Sequence, residues 1–213
     1  MIEQSFSEVF TGALDGDRTI VVGLGDEPQE LRVDLWSSAA DADDHCLLDL
    51  CDGPTLDIGC GPGRMTEALV AHGHLALGID VVEAAVELTR ARGVPAVRLD
   101  VFASQVPGEG RWRSALLADG NIGIGGDPVR LLRRVRDLIA PGGRVVVELG
   151  GPGSAVVHCW ASLEARDRRS RPFRWATLGV DDVARIAALA GFGVAHVGRI
   201  GERWAAVLTR ASS

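Results

Sequence analysis

Lysine and tyrosine are both missing from this chain of 213 residues, and all 22 basic residues are arginine. Schiff-base chemistry is thereby excluded, and so is a Lys or Tyr general base. Proton transfer falls to His, Asp, Glu or Cys. Cysteine is sparse and unpatterned: Cys46, Cys51, Cys60 and Cys159 form no C-x-x-C pair and no zinc spacing. Free thiols and no metal site are expected. No apolar run approaches the roughly 20 residues of a membrane-spanning helix. The start, Met1-Ile2-Glu3-Gln4-Ser5-Phe6, lacks the basic-then-apolar layout of a signal peptide. A cytoplasmic protein with no membrane partner is expected.

Positive charge is also in deficit, with 29 acids giving a net of −7. That argues against a nucleic-acid partner, which needs a basic face to displace counterions from phosphates. The charge is uneven. Residues 1–50 hold 12 acids and only Arg18 and Arg32, a net of −10, whereas residues 111–174 hold 12 arginines and six acids, a net of +6. Such asymmetry joins two parts of one molecule or steers an anionic ligand.

What is present has a clear rhythm. Residues 18–24 and 30–35 read as strands around Gly25-Asp26-Glu27-Pro28, a hairpin, and 41–50 as a short acidic helix. From Thr55 onward short apolar runs alternate with helical patterns. Strands are predicted at 55–58, 76–80, 96–100, 114–119 and 144–149, with helices over 64–72, 83–92 and 127–139. In the last of these, Val129, Leu132, Val135 and Leu138 face inward and arginines outward. A helix over 181–190 and two strands at 193–200 and 204–209 close the chain. The alternation indicates a doubly wound α/β sheet covered on both faces, a three-layer sandwich. We expect an N-terminal cap of hairpin and helix over 1–50 and a main domain over 51–213.

The sharpest local signal is Asp57-Ile58-Gly59-Cys60-Gly61-Pro62-Gly63, between a strand and a helix. Glycines let a ligand approach the main chain, and the helix start offers open N–H groups. The dinucleotide fingerprint G-x-G-x-x-G does not fit: its third glycine would fall on Arg64 or Thr66. An acid two residues before the first glycine suits a cationic, amino-acid-bearing nucleoside better. Asp80 ends the second strand, where a carboxylate can hold a ribose diol. Asp100 ends the third, placed to accept from an exocyclic amine, and Asp119-Gly120-Asn121 follows the fourth.

This set resembles the class I S-adenosylmethionine-dependent methyltransferases over residues 54–150, together with the Pro141-Gly142-Gly143-Arg144 turn. The resemblance implies a Rossmann-like sheet in the order 3-2-1-4-5-7-6, mostly parallel with strand seven antiparallel. It implies S-adenosyl-L-methionine as cofactor, held through Asp57, Gly59, Cys60, Gly61 and Gly63. Asp80 and Val81 would hold the ribose, Asp100, Val101 and Phe102 the adenine, and Asp119 and Gly120 the region of the sulfonium. The implied activity is in-line methyl transfer to a small-molecule acceptor. A cofactor-binding protein of the same fold without that activity is the alternative, and an NAD(P)-dependent oxidoreductase is disfavoured by the glycine spacing.

If a base is used, His158 is the first candidate, then Asp119, then His45; the other reading of His158 is a partly buried helix histidine. Arg166, Arg168, Arg169, Arg171 and Arg174, with Trp160, Phe173 and Trp175, admit several readings. They grip an anionic or aromatic acceptor, or form a solvated helix end, or contact the acidic N-terminal region. A homodimer stays open.

Overall fold

The computed structural model describes residues 1–25 and 27–210. The chain opens with strand β1 (Ile2–Gln4) and helix α1 (Phe6–Leu14). Ser5 caps α1, its hydroxyl accepting from the Glu8 N–H while the Glu8 carboxylate accepts from the Ser5 N–H. The predicted hairpin is present as β2 (Ile20–Val22) and β3 (Gln29–Glu30), paired antiparallel. Asp26, in its connector, lies outside the described residues. The strand predicted over 30–35 stops at Glu30, and helix α2 (Val33–Ser37) follows. A helix turns Val33 to the core and Trp36 to the cavity described below. A strand would send residues three apart to opposite faces. Helix α3 spans Ala42–Leu48.

The central run follows the predicted rhythm closely. It comprises β4 (Thr55–Ile58), α4 (Arg64–Ala71), β5 (Ala76–Asp80), α5 (Glu83–Ala91), β6 (Ala96–Arg98) and β7 (Trp112–Leu117). A 3-10 segment over 121–126 leads to α6 (Pro128–Leu138) and β8 (Ile139–Leu149). Asp127 caps α6, accepting from the Arg130 N–H, and Pro128 occupies the first helical position. Leu131, Leu132, Val135 and Leu138 of α6 are fully buried, each stabilising the fold by about 1.5–3 kcal/mol relative to exposure.

Three strands then occupy a stretch in which the sequence suggests a helix around His158 and a helix end of arginines. They are β9 (Val157–Ala165), β10 (Arg168–Ser170) and β11 (Phe173–Thr177). The reason is a period of two along β9: Ala161, Leu163 and Ala165 are buried on one face, while His158 and Trp160 are exposed on the other. Helix α7 (Val183–Ala190) and the antiparallel pair β12 (Phe192–Ile200) and β13 (Arg203–Arg210) finish the chain.

The larger sheet runs β12-β13-β8-β7-β4-β5-β6. Numbered within this sheet and read from the far edge, that is 3-2-1-4-5-7-6, and β13 alone opposes the other strands. The smaller sheet runs β1-β10-β9-β2-β3, with β11 also on β9. The acidic start and the arginine-rich stretch thus share one sheet. Asp17 pairs with Arg168 and, at 3.7 Å, with Arg166; Glu3 pairs with Arg171 at 3.6 Å and Glu164 with Arg169 at 3.3 Å. Among the described residues, no helix is long and apolar enough to cross a membrane.

Candidate active site

Between β4 and α4 the backbone passes through Gly59, Gly61 and Gly63, at φ of +75°, +53° and +91°. A side chain in this left-handed region is strained. Two of the three positions are also closed. A Cβ on Gly59 would come within 2.8 Å of the Asn121 amide, and one on Gly63 within 2.7 Å of Thr89. Gly61 is different: a Cβ there would meet nothing within 4 Å. It leaves main chain bare toward open space, a cradle into which a ligand fits and a side chain would intrude. The loop is held from three sides. Asn121 Nδ2 donates to the Ile58 and Gly59 carbonyls at 3.0 Å each. The Gly61 N–H donates to Asp80 at 3.0 Å, and the Thr89 hydroxyl donates to the Gly61 carbonyl at 2.8 Å.

A cavity of about 650 Å³ opens in front of this loop, within the range of about 300–1,000 Å³ usual for small-molecule sites. Gly59, Cys60, Gly61, Asp80, Val81, Asp100, Val101 and Asp119, all candidates from the sequence, line one end. Asp80 accepts from the Gly61 and Val82 N–H groups, and Asp100 from Phe102 N–H. A carboxylate has about four acceptor sites, so both keep capacity for hydroxyl or amine donors. Burial pushes the Asp80 carboxyl up, against the backbone bonds that favour its ionised form.

Asp57, Gly63, Phe102 and Gly120 do not line the cavity, nor does His158. His158 sits on the exposed face of β9, its Nδ1 2.7 Å from the Gly126 carbonyl oxygen; strand alternation carries it to the face opposite Leu163, which does line the cavity. His45, on α3, stacks on His72 at 4.8 Å and is likewise outside. Four of the five clustered arginines are committed to the ion pairs of the smaller sheet. The fifth, Arg174, lies over the Trp160 ring at 5.1 Å.

Asp57 lies under the loop, fully buried, with its carboxylate accepting from the Thr66 hydroxyl at 2.6 Å. Burial raises its pKa from 3.8 to about 7; the Thr66 bond opposes this, and the Asp119 and Asp80 carboxylates add to it. The folded chain therefore holds a proton there that the unfolded chain releases above pH 3.8. Stability falls as pH rises through that window, and the span to about 7 corresponds to about 4 kcal/mol. Thermal unfolding without ligand is expected to show a lower midpoint at pH 8 than at pH 5. Asp57→Asn should remove much of that difference; an undiminished difference in the variant would assign it to other groups.

One further feature escapes sequence reading. Arg64, the first residue of α4, is buried and joins two carboxylates: it pairs with Asp44 of α3, and it donates to both Asp119 oxygens at 3.0 and 2.8 Å. Arg203 of β13 meets Asp44 at 2.9 Å and Glu148 at 3.6 Å. Glu148 closes the ring by accepting the Asp119 N–H at 3.0 Å. Asp119 itself has φ of +51°, an unusual backbone state for a residue other than glycine. Burial pushes its carboxyl up and Arg64 pulls it down.

The other end of the cavity is apolar and aromatic. Phe6 and Phe10 of α1, Trp36 of α2, and Phe173 and Trp175 of β11 line it. Phe173 and Trp175 stand out in the sequence; the other three reach the cavity only through the smaller sheet and the helices packed on it.

Comparison with known proteins bears on the fold. Residues 55–143 match a family model described as a methyltransferase domain. Among curated proteins none matches in sequence. Solved structures do. An S-adenosylmethionine-dependent methyltransferase from Bacteroides fragilis, in complex with S-adenosyl-L-homocysteine, is 21% identical with a TM-score of 0.80, over 96% of this chain and 94% of that one. The 1,6-didemethyltoxoflavin-N1-methyltransferase of Burkholderia thailandensis is 19% identical, with a TM-score of 0.61 over 84% and 82%. The sugar N-methyltransferase KedS8 of Streptoalloteichus is 17% identical, with a TM-score of 0.59 over 85% and 90%.

Proposed function

We propose, from the match of residues 55–143 to a methyltransferase domain and a fold shared with S-adenosylmethionine-dependent methyltransferases, that the cavity binds S-adenosylmethionine at its glycine-lined end and methylates a small molecule at its aromatic end. The observation that carries this reading is the single cavity joining the two ends.

The cofactor supplies an electrophilic methyl group on a cationic sulfur. The chain supplies place and surroundings. Gly61 lets the amino-acid part lie against bare main chain. Asp80 offers its free lone pairs to the ribose hydroxyls, and Asp100 offers its own to the adenine amine, with Val101 against the ring. Asp119, held by Arg64, presents a carboxylate toward the cationic end. Leu24, Leu31 and Leu163 keep water from the acceptor. Holding two reactants in attack geometry accounts for about 7–11 kcal/mol of barrier lowering.

Calorimetry with S-adenosylhomocysteine is expected to give heat, and with NAD none; the reverse would discard the reading. Asp80→Ala should weaken S-adenosylhomocysteine binding by about 1.5–3 kcal/mol, the scale of hydrogen bonds to a charged group. An unchanged dissociation constant would remove Asp80 from the ribose role.

A further inference from the structure

The five aromatic rings at the acceptor end form an unbroken arc. Trp36 stacks on Phe10 at 6.2 Å between centroids and Phe10 on Phe6 at 5.4 Å. Phe6 meets Phe173 edge-on at 4.9 Å, and Phe173 meets Trp175 edge-on at 6.1 Å. Ring faces carry negative potential and attract cations, most strongly where water is excluded.

The charged groups around this arc are informative because of what they do not offer. Three arginines line the cavity, and each is engaged by another side chain. Arg32 is bonded twice to Asp34 at 3.1 Å, Arg64 lies between Asp44 and Asp119, and Arg174 is turned onto Trp160 on the outer face of β11. An anionic acceptor would face four carboxylates, Glu30, Asp80, Asp100 and Asp119. The side chains that line the cavity also include no His, Lys or Tyr. A hydroxyl must lose its proton to a base as it attacks; Asp119 is already bound by Arg64, and Glu30 of β3 is half exposed and paired with Arg18 at 3.1 Å. An amine in its neutral form needs no base.

We propose that the acceptor is an amine carried on an apolar or aromatic skeleton, and that the ring arc holds the positive charge that methylation places on its nitrogen. This rests on the methyl-transfer reading above. The nitrogen lone pair forms the new N–C bond while the S–C bond breaks, and its electron pair stays on sulfur. Sulfur becomes neutral and the nitrogen becomes an ammonium, so the positive charge moves from the acidic end toward the aromatic end. A secondary or primary acceptor then releases its extra proton to water, and a tertiary one keeps a permanent charge.

The test uses the whole chain saturated with S-adenosylhomocysteine, titrated separately with benzyltrimethylammonium, benzyl alcohol and phenylacetate. The cation is expected to bind at least tenfold tighter than the other two. Trp36→Leu should weaken it at least fivefold, whereas Leu75→Ala, exposed and outside the cavity, should leave it unchanged. With labelled S-adenosylmethionine, N-methylbenzylamine is expected to take up the methyl group, and phenol and benzyl mercaptan to remain unlabelled. Equal binding of the three probes, a preference for phenylacetate, no binding of any, or label on oxygen or sulfur in place of nitrogen would overturn the proposal. Absence of heat with S-adenosylhomocysteine itself would instead overturn the parent reading. The comparison of probes on the unaltered chain decides the matter even if Trp36→Leu fails to fold.

Discussion

Replacing Arg64 by methionine is expected to destabilise the chain by about 3–5 kcal/mol, the usual cost of removing one partner from a buried ion pair. Asp44 would be left almost wholly buried, with Arg203 and the Asp41 N–H beside it, and Asp119 would lose both hydrogen bonds from Arg64. Arg64→Met should also weaken S-adenosylhomocysteine binding, because Asp119 no longer has a fixed direction. Chemical denaturation at neutral pH measures the first effect and calorimetry the second. Methionine preserves most of the buried aliphatic volume, so a loss below about 1 kcal/mol would mean that the ring contributes shape and not charge balance. The double change Arg64→Met with Asp44→Leu should recover part of the loss, since no carboxylate then remains stranded on α3. Additivity of the two single effects would show that the groups are not coupled.

Gly61→Val is the second large effect, and it acts on binding. The position sits at φ of +53°, where a side chain costs about 1–2 kcal/mol of backbone strain. The new side chain would extend into the space in front of the loop, where nothing now stands within 4 Å. The chain should still fold, while S-adenosylhomocysteine binding falls more than about 100-fold, near 2.7 kcal/mol. Gly59→Ala is the contrasting case. Its Cβ would press on Asn121, which ties β4 to the turn after β7, so folding and binding should decline together. Comparable binding by Gly61→Val and the parent would show that the ligand does not approach this backbone.

The central fold is legible in the sequence because local pattern and global arrangement agree there. Thr55–Ile58 and Ala76–Asp80 are short, mostly apolar runs, the first set between Pro54 and Gly59 and the second ending on Asp80, and α6 shows a clean helical period. The strand order came from the resemblance and not from spacing, since no period in a single chain says which strands are neighbours. The smaller sheet is harder. β1 pairs with β10 across more than 160 residues, in parallel, and strands of three residues carry little period. β9 does alternate, with His158, Trp160, Ser162 and Glu164 on one face, yet its charged continuation at Arg166–Arg169 imitates a helix end. The cofactor end was readable because strand-end acids and a glycine turn are local signals. The acceptor end was readable only in Phe173 and Trp175, because Phe6, Phe10 and Trp36 come from α1 and α2 and join them only on folding. The charge ring was invisible for the same reason: residues 44, 64, 119, 148 and 203 meet only after α3, α4, β8, β13 and the turn after β7 have packed.

The joining of the acidic start to the arginine-rich stretch bears on how this protein could be re-engineered. Asp17 holds Arg168, β1 lies along β10, and the rings of α1 touch those of β11. Residues 2–37 and 157–177 therefore pack as one unit, despite their separation along the chain. Grafting only the first of them from a relative would strand an arginine and open a gap between Phe6 and Phe173. Grafting both together would exchange the acceptor chamber while leaving the glycine turn and its carboxylates in place.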